Sequence, residues 1–138
     1  MKPERTYLDS CLLIAAFMGK GSAGRRAMEI LDDPERRLVV SEAVRLEVMP
    51  KPRHEKRAEE LAFYEAIFQE AENVPWHLQA LANAQTLAER YGLSAMDAVH
   101  IALALHAGVD VLATRESPTK PMFRVKELPL MSVGEARP

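Results

Sequence analysis

Residues 6–17 read TYLDSCLLIAAF, a short apolar strand-like run followed directly by an apolar helix, with the carboxylate of Asp9 between them. In an open α/β sheet, ligands bind in the crevice at the carboxyl ends of the strands, so an acid at this junction is a candidate site residue. The alternative is that Asp9 or Ser10 only caps the helix by bonding to backbone N–H groups that have no partner within it. This stretch alone favours the cap, and the later acids of the chain favour the site.

Strand and helix patterns alternate along the rest of the chain. Strands are predicted at 5–8, 38–40 and 109–113, with a short one near 73–75 and an edge strand from 123–125 or 128–131. Helices are predicted at 11–18, 23–31, 43–48, 54–71, 77–91 and 94–108, and Pro50 and Pro52 are expected to separate the third from the fourth. The alternation predicts one domain over residues 1–138, with its core at about 5–125 and helices on both faces of a mostly parallel sheet.

Composition limits the classes of protein to consider. Hydrophobic residues make up 48% and charged residues 28% of the chain, as in an ordinary globular domain. Aromatic residues are only 6%, too few for a base-stacking platform, and the net charge of −2 leaves room only for a local basic patch. The single cysteine, Cys11, excludes a disulfide framework or a cysteine-based zinc site within one chain.

The amino-terminal residues contain no apolar export segment. No apolar run approaches the roughly 18 residues that a membrane-spanning helix requires. The expected location is therefore the cytoplasm, with no membrane partner.

Four acids fall at the ends of the predicted elements: Asp9, Glu47, Asp97 and Glu116. If they face one crevice, they repel each other unless a divalent cation neutralises them. An all-oxygen set favours Mg²⁺ or Mn²⁺, because hard cations prefer hard ligands. Such an ion polarises a phosphoryl oxygen and activates bound water.

Four motifs carry a family resemblance. They are YLDS at 7–10, SEAVRLEV at 41–48, LSAMDAVHIA at 93–102 and DVLATRE at 110–116. In this order and spacing, from Tyr7 to about Phe123, the chain resembles PIN-domain proteins, and in particular the VapC-type toxins of toxin–antitoxin pairs. The resemblance implies a three-layer α/β/α sandwich and a Mg²⁺- or Mn²⁺-dependent endoribonuclease acting on RNA. It also implies a homodimer that a cognate antitoxin inhibits.

The resemblance also assigns roles to residues. Asp9, Glu47 and Asp97 match the acidic metal-site positions of the family. Its fourth motif is usually Thr-x-Asp, whereas this chain has Glu116, which keeps the charge but adds a methylene. Ser10 and Thr114 are then polar neighbours that orient water or a carboxylate.

Each acid also has a structural interpretation. Ser94 and Asp97 fit a capping box, Glu47 fits a solvated helix position and Glu116 fits a loop. The altered Glu116 supports a rival class, a catalytically impaired PIN-like module that binds RNA or protein. A receiver-like signalling domain is a weaker rival, because the acids lack the paired arrangement that such a domain has near its first strand.

The densest basic run lies just after the Glu47 helix. It comprises Lys51, Arg53, His54, Lys56 and Arg57. We expect Lys51, Arg53, Lys56 and Arg57 to steer an RNA backbone, although a solvated helix start accounts for the run equally well. Arg25, Arg26, Arg36 and Arg37 are a second basic group, suited to an acidic antitoxin segment. His100 and His106 are predicted to be surface or packing residues.

Overall fold

The computed structural model describes residues 2–134. The strands are β1 (Glu4–Leu8), β2 (Arg36–Ser41), β3 (Glu72–Val74), β4 (Val111–Thr114) and β5 (Leu130–Ser132). The helices are α1 (Ser10–Met18), α2 (Gly21–Asp32), α3 (Glu42–Val48), α4 (Pro50–His54), α5 (Ala58–Glu70), α6 (Leu78–Tyr91) and α7 (Ala95–Ala107), and a 3₁₀ helix covers Pro121–Arg124.

The five strands form one parallel sheet in the order β3-β2-β1-β4-β5. Tyr7 of β1 lies opposite Val39 on one side and Leu112 on the other. The predicted α/β fold with a central parallel sheet flanked by helices is therefore confirmed.

The strand order changes direction at β1. Successive crossovers run from β1 to β2 and β3, and the chain then returns to place β4 on the other side of β1. Because parallel crossovers are right-handed, α1 to α5 cover one face and α6 and α7 cover the other. The carboxyl ends of β1 and β4 thus form the switch point at which open α/β sheets bind ligands.

The core runs through the three central strands. Tyr7, Leu8, Val39, Val40 and Leu112 are fully buried. Strands covered by helices on both faces require such continuous apolar runs, because neither side meets water. This packing fixes the ends of β1 and β4, and with them the backbone of the candidate site.

The segment after α3 differs from the prediction. Pro50 begins the short helix α4 instead of ending helical structure, since the first turn of a helix needs no N–H from that residue. The long helix predicted from residue 54 begins only at Ala58, after a turn in which Lys56 has φ +55°. Of the two candidates for the last strand, Phe123 lies in the 3₁₀ helix and β5 occupies the later position. Across residues 2–134, no helix has the length and apolar character needed to cross a membrane.

Candidate active site at the carboxyl edge of the sheet

Asp9 is the first residue after β1 and is 4% exposed. Its Oδ1 accepts a hydrogen bond from the Leu12 backbone N–H at 3.2 Å, which caps α1, and another from Cys11 Sγ at 3.1 Å. The capping interpretation is thus confirmed. Capping occupies one carboxylate oxygen and leaves the side chain at the sheet edge, so it does not exclude a role in a site.

Burial sets the electrostatics of Asp9. Leaving water raises the pKa of its carboxyl, because desolvation penalises the charged form. Hydrogen bonds from Thr114 and Cys11 and the nearby His100 act in the opposite direction without cancelling the rise. A cation beside Asp9 would favour the ionised form, so the environment suits a positively charged ligand.

Thr114 ties the end of β4 to the end of β1. Its fully buried Oγ1 lies 3.3 Å from Cys11 Sγ and accepts the Glu116 N–H at 3.0 Å. Glu116 itself follows β4 and places Oε2 3.7 Å from Lys120 Nζ. The Glu116 backbone therefore belongs to the sheet edge, while its carboxylate pairs with a lysine.

Glu47 of α3 reaches the same edge. Its Oε1 accepts hydrogen bonds from Ser10 Oγ at 2.8 Å and from His100 Nε2 at 2.5 Å. The His100 hydrogen bond is the largest cause of a lowered pKa at Glu47, and the Ser10 bond acts in the same direction. Glu47 is therefore an anchored carboxylate and not a freely solvated helix residue.

His100 is the participant that the sequence interpretation missed. It is buried, and its Nδ1 lies 2.8 Å from the Tyr7 hydroxyl. A signal did exist, because residues three apart share a helix face and His100 follows Asp97 by three. His106 stacks on His77 with ring centroids 3.7 Å apart, which agrees with its predicted packing role.

Asp97 lies in the first turn of α7 and is half-buried. Its backbone N–H donates to Ser94 Oγ at 3.4 Å, which is one half of the predicted capping box. The reciprocal bond from the Ser94 N–H to the Asp97 carboxylate does not occur among the hydrogen bonds of residues 2–134. The carboxylate is thus not committed to the cap.

The donor chemistry at this edge fits a hard divalent cation. Asp9 and Glu47 supply carboxylate oxygens, and in the described part of the chain no hydrogen bond uses Glu47 Oε2. Within residues 2–134, however, no three Asp, Glu, His or Cys side chains converge closely enough to hold one ion as they stand. Asp97 or Glu116 would have to turn toward Asp9 and Glu47 to complete a set of three.

The predicted basic run is exposed, as expected, but two of its members are already paired. Arg53 lies 3.3 Å from Glu65, and Arg57 lies 2.8 Å from Glu55. Lys51 and Lys56 form no ion pair within residues 2–134. The two lysines are therefore the more available cations of the run.

Most of the second basic group supports the fold itself. Arg26 donates to the Ser132 and Val133 carbonyls, and Arg36 pairs with Glu4 and Asp33. Arg37 lies 4.0 Å from Glu72.

A family model for the PIN domain matches residues 6–117, which include all four acids. The chain belongs to the PIN-domain family. A comparison of the sequence with curated proteins gives no match.

Solved structures with the same fold are similar to this PIN domain over most of its length. A chain of a toxin–antitoxin complex from Klebsiella pneumoniae has a TM-score of 0.74 and 20% identity, covering 94% of this chain and 98% of the other. A chain of VapBC2 from Rickettsia felis, bound to a fragment of promoter DNA, has a TM-score of 0.70 and 14% identity, with 93% and 98% covered. VapC20 from Mycobacterium tuberculosis, a toxin that cleaves the sarcin–ricin loop, has a TM-score of 0.58 and 16% identity, with 78% and 86% covered.

Proposed function

We propose that this PIN domain is a Mg²⁺- or Mn²⁺-dependent endoribonuclease and the toxin of a toxin–antitoxin pair. The observation that carries the proposal is the meeting of buried Asp9 and anchored Glu47 at the switch point of a PIN fold. Asp97 begins the helix that also supplies His100 to Glu47, and Glu116 follows the strand that ends beside Asp9.

The residues at this edge divide the work of hydrolysis. Asp9 and Glu47 would hold the ion, with Asp97 and Glu116 as further ligands. When bound, such an ion polarises a phosphoryl oxygen and lowers the pKa of a bound water. Ser10 orients Glu47, and Thr114 holds the Asp9 loop against β4. In the reaction, the water oxygen bonds to phosphorus while a bridging P–O bond breaks, which leaves two RNA ends.

The partners follow from the structural relatives. Two of them are chains of toxin–antitoxin complexes, and this supports a cognate antitoxin for this chain. We further propose a homodimer that acts in the cytoplasm, where its RNA substrate is found. On the chain itself, Lys51, Arg53, Lys56 and Arg57 are proposed to guide the RNA backbone, with the unpaired lysines contributing most.

A catalytically impaired PIN module that binds RNA or protein is the second candidate. The contact of Glu116 with Lys120 favours it, because this pairing draws the fourth carboxylate away from the other acids. Replacing Glu116 with aspartate shortens the side chain and separates the two candidates. Under the nuclease proposal Glu116→Asp cuts RNA at least as well as the wild type, and under the second candidate only the variant cuts.

Cleavage of a structured RNA pool tests the nuclease proposal. Wild-type protein and Asp97→Asn are purified identically and incubated with Mg²⁺, Mn²⁺ or EDTA. The proposal predicts cutting that needs the metal and disappears in Asp97→Asn. Cutting that survives EDTA, or that both proteins perform equally, contradicts it.

Two controls complete this experiment. Asp110→Asn makes the same chemical change at the opposite end of β4, where the Asp110 carboxylate accepts the Arg5 backbone N–H. It should cut like the wild type, and cutting lost equally in both variants would indicate a general loss of folding. Circular dichroism of every variant checks that the fold is retained.

A further inference from the structure

A continuous chain of hydrogen bonds runs from the sheet to Glu47. Ser41 Oγ lies 2.7 Å from the Tyr7 hydroxyl, which lies 2.8 Å from His100 Nδ1, and His100 Nε2 lies 2.5 Å from Glu47 Oε1. The first three residues are buried. The chain links the end of β2, the middle of the sheet, α7 and α3.

The order of donors along this chain is constrained. Ser41 Oγ already accepts the Val44 N–H at 3.3 Å as the cap of α3, and its own proton is free to go to Tyr7. Tyr7 then donates to His100 Nδ1, and this leaves the imidazole proton on Nε2, facing the Glu47 carboxylate. A bare Nε2 would set two lone pairs against each other at 2.5 Å. The geometry therefore requires a proton between His100 and Glu47.

We infer that His100 is a positioning residue, which Tyr7 and Ser41 hold so that its Nε2–H fixes the carboxylate of Glu47. A glutamate side chain has three rotatable bonds, and a helix alone leaves its carboxylate free to move. The bonds from Ser10 and His100 both end on Oε1, which holds the group from two sides. Oε2 then remains available for a ligand in the crevice.

This role rests on the proposed function only in its consequence for ligand binding. Second-layer partners of metal-binding side chains orient those side chains, and their loss typically lowers metal affinity 10- to 100-fold. His100 acts through Glu47 and needs no contact with RNA. Its effect should therefore appear in the metal-free protein as well as in Mn²⁺ affinity.

The first test uses metal-free wild-type protein and does not depend on activity. Long-range ¹H–¹⁵N NMR of the imidazole reports which nitrogen carries a proton. The inference predicts a proton on His100 Nε2. A bare Nε2 would overturn it, whether or not the protein cuts RNA.

The second test compares two conservative variants. In His100→Gln the amide nitrogen occupies roughly the place of Nε2 and can donate to Glu47, whereas in His100→Asn the shorter amide can reach Tyr7 but not Glu47. The carboxylate ¹³C resonance of Glu47 should stay near its wild-type position in the first variant and move in the second. Calorimetry should give Mn²⁺ affinity within a few-fold of wild type for His100→Gln and 10- to 100-fold weaker for His100→Asn.

Equal losses in both variants would reduce His100 to a packing residue, and equal retention would remove any role; either result overturns the inference. If the wild type binds no Mn²⁺, the proposed function fails, while the imidazole proton and the Glu47 resonance still decide the role of His100. The two proposals are thus judged separately.

Discussion

The Ser10 hydroxyl donates a hydrogen bond to Glu47 Oε1 at 2.8 Å and so joins the first turn of α1 to α3. Ser10 directly follows Asp9, so this one bond sets the two carboxylates of the candidate site side by side. Their environments differ, since burial raises the pKa of Asp9 whereas the His100 hydrogen bond lowers that of Glu47. Opposite shifts in neighbouring acids are typical of functional sites.

Ser10→Ala should loosen Glu47. Loss of one hydrogen bond lowers the free energy of unfolding by about 0.5–1.5 kcal/mol, and the freed carboxylate should slow RNA cleavage by a larger factor than this stability loss explains. Urea denaturation and cleavage rates measure the two effects. Ser117→Ala, which changes an exposed loop serine bonded to Thr119, is the matched control and should leave cleavage unchanged. Cleavage at the wild-type rate in Ser10→Ala would contradict the role.

Asp9→Asn should stabilise the metal-free protein at neutral pH while abolishing cleavage. Because the pKa of Asp9 is higher in the folded than in the unfolded protein, the folded state binds more protons. The free energy of unfolding of the wild type therefore falls as the pH rises above the ordinary aspartate value of 3.8. Asparagine keeps a good helix cap without this cost.

The pH dependence gives Asp9→Asn its control. Below the ordinary aspartate pKa, Asp9 is protonated in both states, so the stability advantage of the variant should disappear there. Urea denaturation in EDTA across this pH range measures the difference. An advantage that does not change with pH, or a variant less stable at neutral pH, would contradict the electrostatic account of Asp9.

Thr114→Val keeps the shape of a fully buried side chain but removes its hydroxyl. The Glu116 N–H and Cys11 lose their partner, which should cost about 1–3 kcal/mol and lower Mn²⁺ affinity about 10- to 100-fold. Thr114→Ser retains the hydroxyl and should bind Mn²⁺ like the wild type. Equal affinities in the two variants would show that the hydroxyl does not support the site.

The basic run should contribute to RNA binding through its lysines. In an Asp97→Asn background, which prevents cutting, Lys51→Ala with Lys56→Ala should weaken binding and flatten the salt dependence by about 0.7 per lost phosphate contact. Arg53→Ala with Arg57→Ala should do less, because both arginines already pair with glutamates. A salt slope unchanged in both double variants would remove the steering hypothesis.

The sequence predicted the sheet well, because buried parallel strands carry continuous apolar runs that local inspection detects. It also indicated that Asp9 stands at a functional edge, since the strand, the acid and the helix are adjacent in the chain. The start of α5 was wrong because two prolines fit both the end of one helix and the beginning of the next. Only tertiary packing distinguishes these cases.

The support around the acids was harder to predict. The bond between His100 and Glu47 joins residues 53 positions apart, and no local pattern announces it. Likewise, the contact of Glu116 with Lys120 depends on the loop that follows β4. The family resemblance identified the four acids, but the hydrogen bonds that orient their side chains required the folded chain.

Anomalous diffraction from a crystal grown with Mn²⁺ tests the central claim most directly, because it locates the ion without reference to a substrate. The account predicts an anomalous peak bound by Asp9 and by Glu47 through Oε2, with Asp97 or Glu116 turned toward it. No peak at this edge at saturating Mn²⁺, or a peak elsewhere on the chain, would contradict the assignment of these carboxylates to a metal-dependent nuclease site.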